Sequence, residues 1–117
     1  MSPPEPEPTE LVWLDPWYPM NKRSQYAIAL FERQLQLEVG QGHPLFGIPC
    51  EAFGKHDACD DVLFRLLDGT GRVAVVHLTW AKSPERPPWP GTTIYASLYE
   101  WFEERMKPDA AEYADEP

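Results

Sequence analysis

The sequence predicts an α+β domain in which one helix precedes, and one follows, an antiparallel meander of three to four strands, in the order α-β-β-β-(β)-α. Apolar residues recur at three and four over 24–39 and again from Leu98 to Met106, which is helical spacing. Two apolar, β-branched runs at 61–67 and 72–80 flank an Asp-Gly step, which is the pattern of a hairpin. A length of 117 residues with 43% hydrophobic content suits one core.

Residues 1–10 alternate proline with glutamate and are expected to form a disordered tail; the domain then spans 11–107, and an acidic tail, also disordered, spans 108–117. The stretch LVWLDPWYP at 11–19 carries Trp13, Trp17 and Tyr18, which are costly to leave in water, while Pro16 and Pro19 bar a regular helix. An aromatic arm lying across the domain follows from both facts.

The first helix spans 24–39. Ala27, Ile28, Leu30, Phe31, Leu35 and Val39 make its apolar face, and Glu32, Arg33, Gln36 and Glu38 its polar side. Gly40 and Gly42 stop it. His43, before Pro44, is expected at the helix's negative end.

Strands are expected at 48–55, 61–67 and 72–80, with a short edge strand at 92–95. Positive φ at the Asp68-Gly69 step supplies the hairpin turn. A four-residue turn pairs Leu67 with Arg72 and sets His77 opposite Val62 and diagonal to Asp60; a two-residue turn sets His77 against Asp60. By alternation, Val62, Phe64, Leu66, Val73 and Val75 share one face of the sheet, and Leu63, Leu67, Ala74, Val76, Leu78 and Trp80 the other. Both faces are apolar. With both helices laid on one face, the second needs a cover: the aromatic arm, the loop around Trp89, or another protein chain.

Pro84, Pro87, Pro88 and Pro90 stiffen the loop that carries Trp89, lowering the entropy lost when it presents that ring in one place. The closing helix opens on Ser97-Leu98-Tyr99-Glu100, a capping box in which Glu100 reaches back to the Ser97 amide, and ends at Pro108.

The formal charge is −9, yet seven of the nineteen acids lie in 1–10 and 108–117 without a base, leaving twelve acids against ten bases in the body. A nearly neutral body without a basic stripe argues against nucleic-acid binding. No apolar run is long enough to span a membrane, and the opening MSPPEPEPTE has neither a basic start nor an apolar stretch, so a cytoplasmic location is expected. Cys50 and Cys59 are then expected as reduced thiols.

Two sets of residues carry candidate chemistry. His77 and Asp60 form a candidate acid-base pair, weighed against a histidine that merely satisfies an acid, since no nucleophile or anion hole accompanies it. Cys50, His56 and Cys59 offer zinc-compatible atoms, but C-x5-H-x2-C lacks the close cysteine pair that fixes a tetrahedral knuckle. No cofactor is expected. Trp89, Trp80, Trp17 and Tyr95 are the candidate partner-binding residues.

The element order resembles double-stranded RNA-binding domains in topology alone, because Ser97, Glu100, Glu103 and Glu104 stand where those domains place phosphate-binding lysines. From Leu11 onward the chain also resembles a family of small bacterial proteins of unassigned function, through GHPLFG at 42–47, DDVLFRLLDG at 60–69, AVVHLTW at 74–80 and WP-x-TT-x-Y at 89–95. That resemblance implies a compact cytosolic bacterial domain and transfers no site. The function expected is therefore a non-catalytic protein-binding or regulatory protein, of accessory or immunity type, engaging a protein partner or a second copy of itself. The alternative is a small hydrolase or metal-dependent enzyme centred on His77 and Asp60.

Overall fold

Five antiparallel strands in the order β1-β2-β3-β4-β5 form one sheet in the computed structural model, which describes residues 11–114. The expected tail at 1–10 lies outside the described residues, as do residues 115–117. The strands are β1 (Trp17–Pro19), β2 (Cys50–His56), β3 (Asp61–Leu66), β4 (Val73–His77) and β5 (Thr92–Tyr95). The α+β class and the meander hold, with β1 as the strand not expected. It comes from the aromatic arm, whose prolines forbid a helix but permit a short edge strand pairing Trp17 with His56. At the bulge in β2 a Cβ on Gly54 would stand 2.7 Å from the Trp13 ring, so only glycine lets the arm lie this close.

The first helix, α1 (Gln25–Glu38), begins where Ser24 accepts the Ala27 amide at 3.1 Å. It buries Phe31 and Leu35 on the face of the sheet formed by Val62, Phe64, Leu66, Ala74, Val76 and Leu78. The closing helix lies on the other face. It runs through α2 (Leu98–Trp101), a π-helical turn (Phe102–Met106) and α3 (Lys107–Ala114), and with Trp13, Leu14 and Trp17 it covers Phe53, Leu63, Val73 and Val75. The expectation of two helices on one face is thus corrected: each face has its own helix, and the arm completes the second cover. Two apolar faces were expected and are found, without need of another chain.

The partition of residues between the faces also changes. Leu66 donates to Arg72 at 3.1 Å and the loop occupies 67–71, so the register is Leu63 with Val75 and Phe64 with Ala74. Val73 and Val75 therefore share a face with Leu63, and Leu67 and Trp80 fall outside the sheet core. The longer loop is stabilised by Asp68, whose Oδ1 accepts the Thr70 amide at 3.1 Å, and by positive φ at Gly69 and Gly71.

Helix continues past Pro108 to Ala114, where an acidic tail was expected from 108. The π turn makes this compatible with a proline: Lys107 bonds to Phe102, shifting the ladder just before the residue that has no amide to give. At the other end Glu100 Oε2 takes the Ala96 amide, at 2.8 Å, rather than that of Ser97. Among the described residues no helix is long and apolar enough to cross a membrane.

Candidate functional site

The described residues include three buried polar or charged side chains, Glu38, His43 and Lys55. Two of them fix the segment that carries the exposed tryptophans.

Glu38 stands on the helix face of Phe31 and Leu35, not on the solvent side expected for it, and is 0% exposed. Its Oε1 accepts from the Thr79 amide at 2.9 Å and the Thr79 hydroxyl at 3.0 Å; its Oε2 accepts from the Trp80 amide at 2.9 Å and from Gln34 Nε2 at 2.7 Å. These donors are neutral and together fill the acceptor positions of a carboxylate. The Glu38 carbonyl accepts the Glu85 amide at 2.9 Å, and Gln34 also donates to the Ala81 carbonyl at 2.8 Å. Trp80 is thereby held at φ 61°, the left-handed region in which a bulky residue is strained by about 1–2 kcal/mol.

His43 is 4% exposed. Its Nδ1 accepts the Leu45 amide at 3.0 Å, which leaves the proton on Nε2, and Nε2 donates to the Pro90 carbonyl at 3.0 Å. The expected contact with the end of α1 is replaced by this tie across the chain. The loop from β4 to β5 is so pinned at Thr79, Trp80, Ala81, Glu85 and Pro90, with the Pro87–Pro88 and Trp89–Pro90 peptides cis.

On this frame Trp89 is 56% exposed and Trp80 41%. The Trp80 ring packs on Phe31 with centroids 5.8 Å apart, and its Nε1 donates to Asp60 Oδ1 at 3.3 Å. Trp17 and Tyr95 are different. They are buried in the core under the closing helix, which removes them from any surface a partner could touch.

His77 lies at the same end of the sheet, on the opposite face. The register sets it against Asp61, one residue from the expected Asp60, because the turn is longer than either alternative allowed. Its Nδ1 donates to Asp61 Oδ1 at 2.7 Å, and Arg105 Nη2 donates to Asp61 Oδ2 at 2.7 Å. Burial pushes the Asp61 carboxyl up, but hydrogen bonds from Arg105 and His77 outweigh it and hold the group below the usual aspartate range. Arg105 Nε continues to Asp109 Oδ2 at 2.7 Å, which also accepts Trp17 Nε1 at 2.8 Å. His56 accepts the Ala58 amide on Nδ1 at 3.0 Å and turns Nε2 toward Asp109 at 3.9 Å. His56 and Asp109 line an open cleft of about 220 Å³ with Pro16, Glu112 and Tyr113. Arg105 belongs to the core-facing spacing expected from Leu98 to Met106 but was not expected in a site; the π turn carries it, and nothing in the helical spacing marks that turn.

The zinc-compatible set does not assemble. Cys50 and His56 stand at opposite ends of β2, roughly 20 Å apart at the rise of an extended strand. Among the described residues no group of three or more His, Cys, Asp or Glu side chains is placed to hold a metal. Burial raises both thiols, and at Cys50 the charges of Asp68 and Glu32 add to it and push the group to about 11.

No protein-family model, curated protein or solved structure matches this chain.

Proposed function

We propose that this protein is a non-catalytic binding protein, of regulatory or immunity type, that captures a protein partner through Trp89 and Trp80. One observation carries the proposal: Glu38 and His43, both buried, are used to pin the loop on which these two exposed indoles stand. An indole carried on a fixed backbone loses less entropy on binding than one on a mobile loop, and tryptophan is among the residues most enriched where interface energies concentrate. Trp17 and Tyr95, being buried, drop out of the binding set.

The test is affinity capture with the wild-type chain and with Trp89→Ala, Trp80→Ala and Tyr99→Ala, the last removing an aromatic 72% exposed on α2. The proposal expects one captured species to be lost in both tryptophan variants and kept in Tyr99→Ala. Identical profiles in all four would overturn it.

A second reading, a small hydrolase centred on His77, draws on the Asp61 hydrogen bond that fixes the Nδ1 tautomer and leaves Nε2 free to accept a proton. Turnover in a broad hydrolase panel that His77→Ala abolishes would favour it; its absence would remove it.

A further inference from the structure

Trp80 poses a question that its packing alone does not answer. A glycine at this position would accept φ 61° without strain, whereas the chain holds a tryptophan there with the buried carboxylate of Glu38. The conformation fixes three features of the indole at once. The ring packs against Phe31 at an interplanar angle of 55° with centroids 5.8 Å apart, the N–H points to Asp60 Oδ1, and 41% of the residue stays exposed. Asp60 is exposed too, and its second oxygen has no hydrogen bond or ion pair within the described residues.

The geometry points to an arginine receptor: the exposed part of the Trp80 ring, with Asp60 at its N–H edge, takes the guanidinium of an arginine side chain presented by the protein partner. The inference rests on the partner-binding proposal and names the chemistry of one contact within it. A cation is drawn to the negative face of an indole, most strongly for tryptophan. An N–H donated to a carboxylate moves electron density into the ring and strengthens that attraction. Arginine fits better than lysine because its planar group can stack on an aromatic ring and its several N–H donors can at the same time engage a carboxylate such as Asp60. The local charge is complementary as well, since the carboxylate of the exposed Asp60 stands at the ring's N–H edge. Two of the chain's own cations are otherwise engaged: Lys55, which feels the Asp60 charge, directs its ammonium to the carbonyls of His56 and Cys59, and Arg23 lies over Phe31 and donates to the Tyr18 hydroxyl at 3.0 Å.

The test follows the indole N–H signals of the intact, 15N-labelled chain, which has five tryptophans, during titration with N-acetyl-arginine amide. Trp80→Phe assigns the signal, and N-acetyl-citrulline amide is the neutral probe of the same shape. The expected result is a saturable shift of the Trp80 signal with arginine, none with citrulline, and loss of the response in Asp60→Asn, a surface change that leaves the fold in place. No shift with arginine, an equal shift with citrulline or N-acetyl-lysine amide, or an unchanged response in Asp60→Asn would overturn the inference. Failure here is distinguishable from failure of the partner proposal. If arginine has no effect while the tryptophan variants still lose the captured species, only the arginine receptor falls.

Discussion

Glu38 and Trp80 are joined by a 2.9 Å hydrogen bond in which a fully buried carboxylate fixes the backbone of an exposed tryptophan. A helix side chain thus decides what the far end of the sheet offers to solvent.

Replacing Glu38 by glutamine tests that link. Glutamine keeps one oxygen and turns an NH2 group toward donors, so at least one of Thr79, Trp80 and Gln34 is left unpaired. Urea unfolding of Glu38→Gln is expected to reveal a loss of about 2–4 kcal/mol. The exposed Glu51→Gln is the control, expected to stay within about 0.5 kcal/mol. Equal, small effects of the two would refute the structural role given to Glu38.

The strain at Trp80 can be measured by comparing two truncations. Both Trp80→Gly and Trp80→Ala remove the ring, but only glycine adopts φ 61° freely. Trp80→Gly is expected to be the more stable by about 1 kcal/mol, the reverse of the order at ordinary positions. Alanine as stable as glycine would mean that the backbone there is unstrained.

His56 gives a pH dependence with a definite sign. Burial lowers its pKa, Arg105 adds to this and Asp109 opposes it, so the folded value lies below the ordinary value of about 6.5. As pH falls through that ordinary value, the unfolded chain takes up the proton first. Stability present at neutral pH is therefore lost as pH drops toward the folded value. The slope of stability against pH below about 7 should be shallower in His56→Gln than in the wild type. An identical slope in the two would contradict the assignment.

Cys50, with its thiol pushed up to about 11, should resist iodoacetamide at pH 8 until the chain is unfolded in urea. Cys59 is partly exposed and should be alkylated earlier, though slowly because its pKa is raised as well. Mass spectrometry of timed samples checks the order. Rapid labelling of Cys50 in the folded protein would be inconsistent with its burial under α1.

Much of this fold is legible in the chain. The helical spacing from Ile28 to Val39, the cap at Ser24 and the edge strand at Thr92–Tyr95 follow from local pattern, since neighbours on one element decide them. The register was not legible. A loop over 67–71 in place of a tighter turn exchanges Asp60 for Asp61 beside His77 and moves Val73 and Val75 to the other face, and nothing in Asp-Gly-Thr-Gly distinguishes these lengths. Glu38, expected on the polar side, is spaced three and seven residues from Leu35 and Phe31, and that spacing belongs to the buried face. Its partners Thr79 and Trp80 lie more than 40 residues away, beyond what spacing conveys. That Trp17 and Tyr95, offered as candidate partner-binding residues, lie buried under the closing helix is not legible, because composition tells that a ring must be covered, not by what.

The most direct measurement of the central claim is site-specific photocrosslinking in living cells, with a benzoyl-phenylalanine placed at Trp89 in one chain and at Tyr99 in another. A discrete crosslinked protein from position 89, absent from position 99 and lost when Trp80→Ala is added, is the predicted result. Crosslinking at neither position, or the same products from both, would contradict a binding surface built on Trp80 and Trp89.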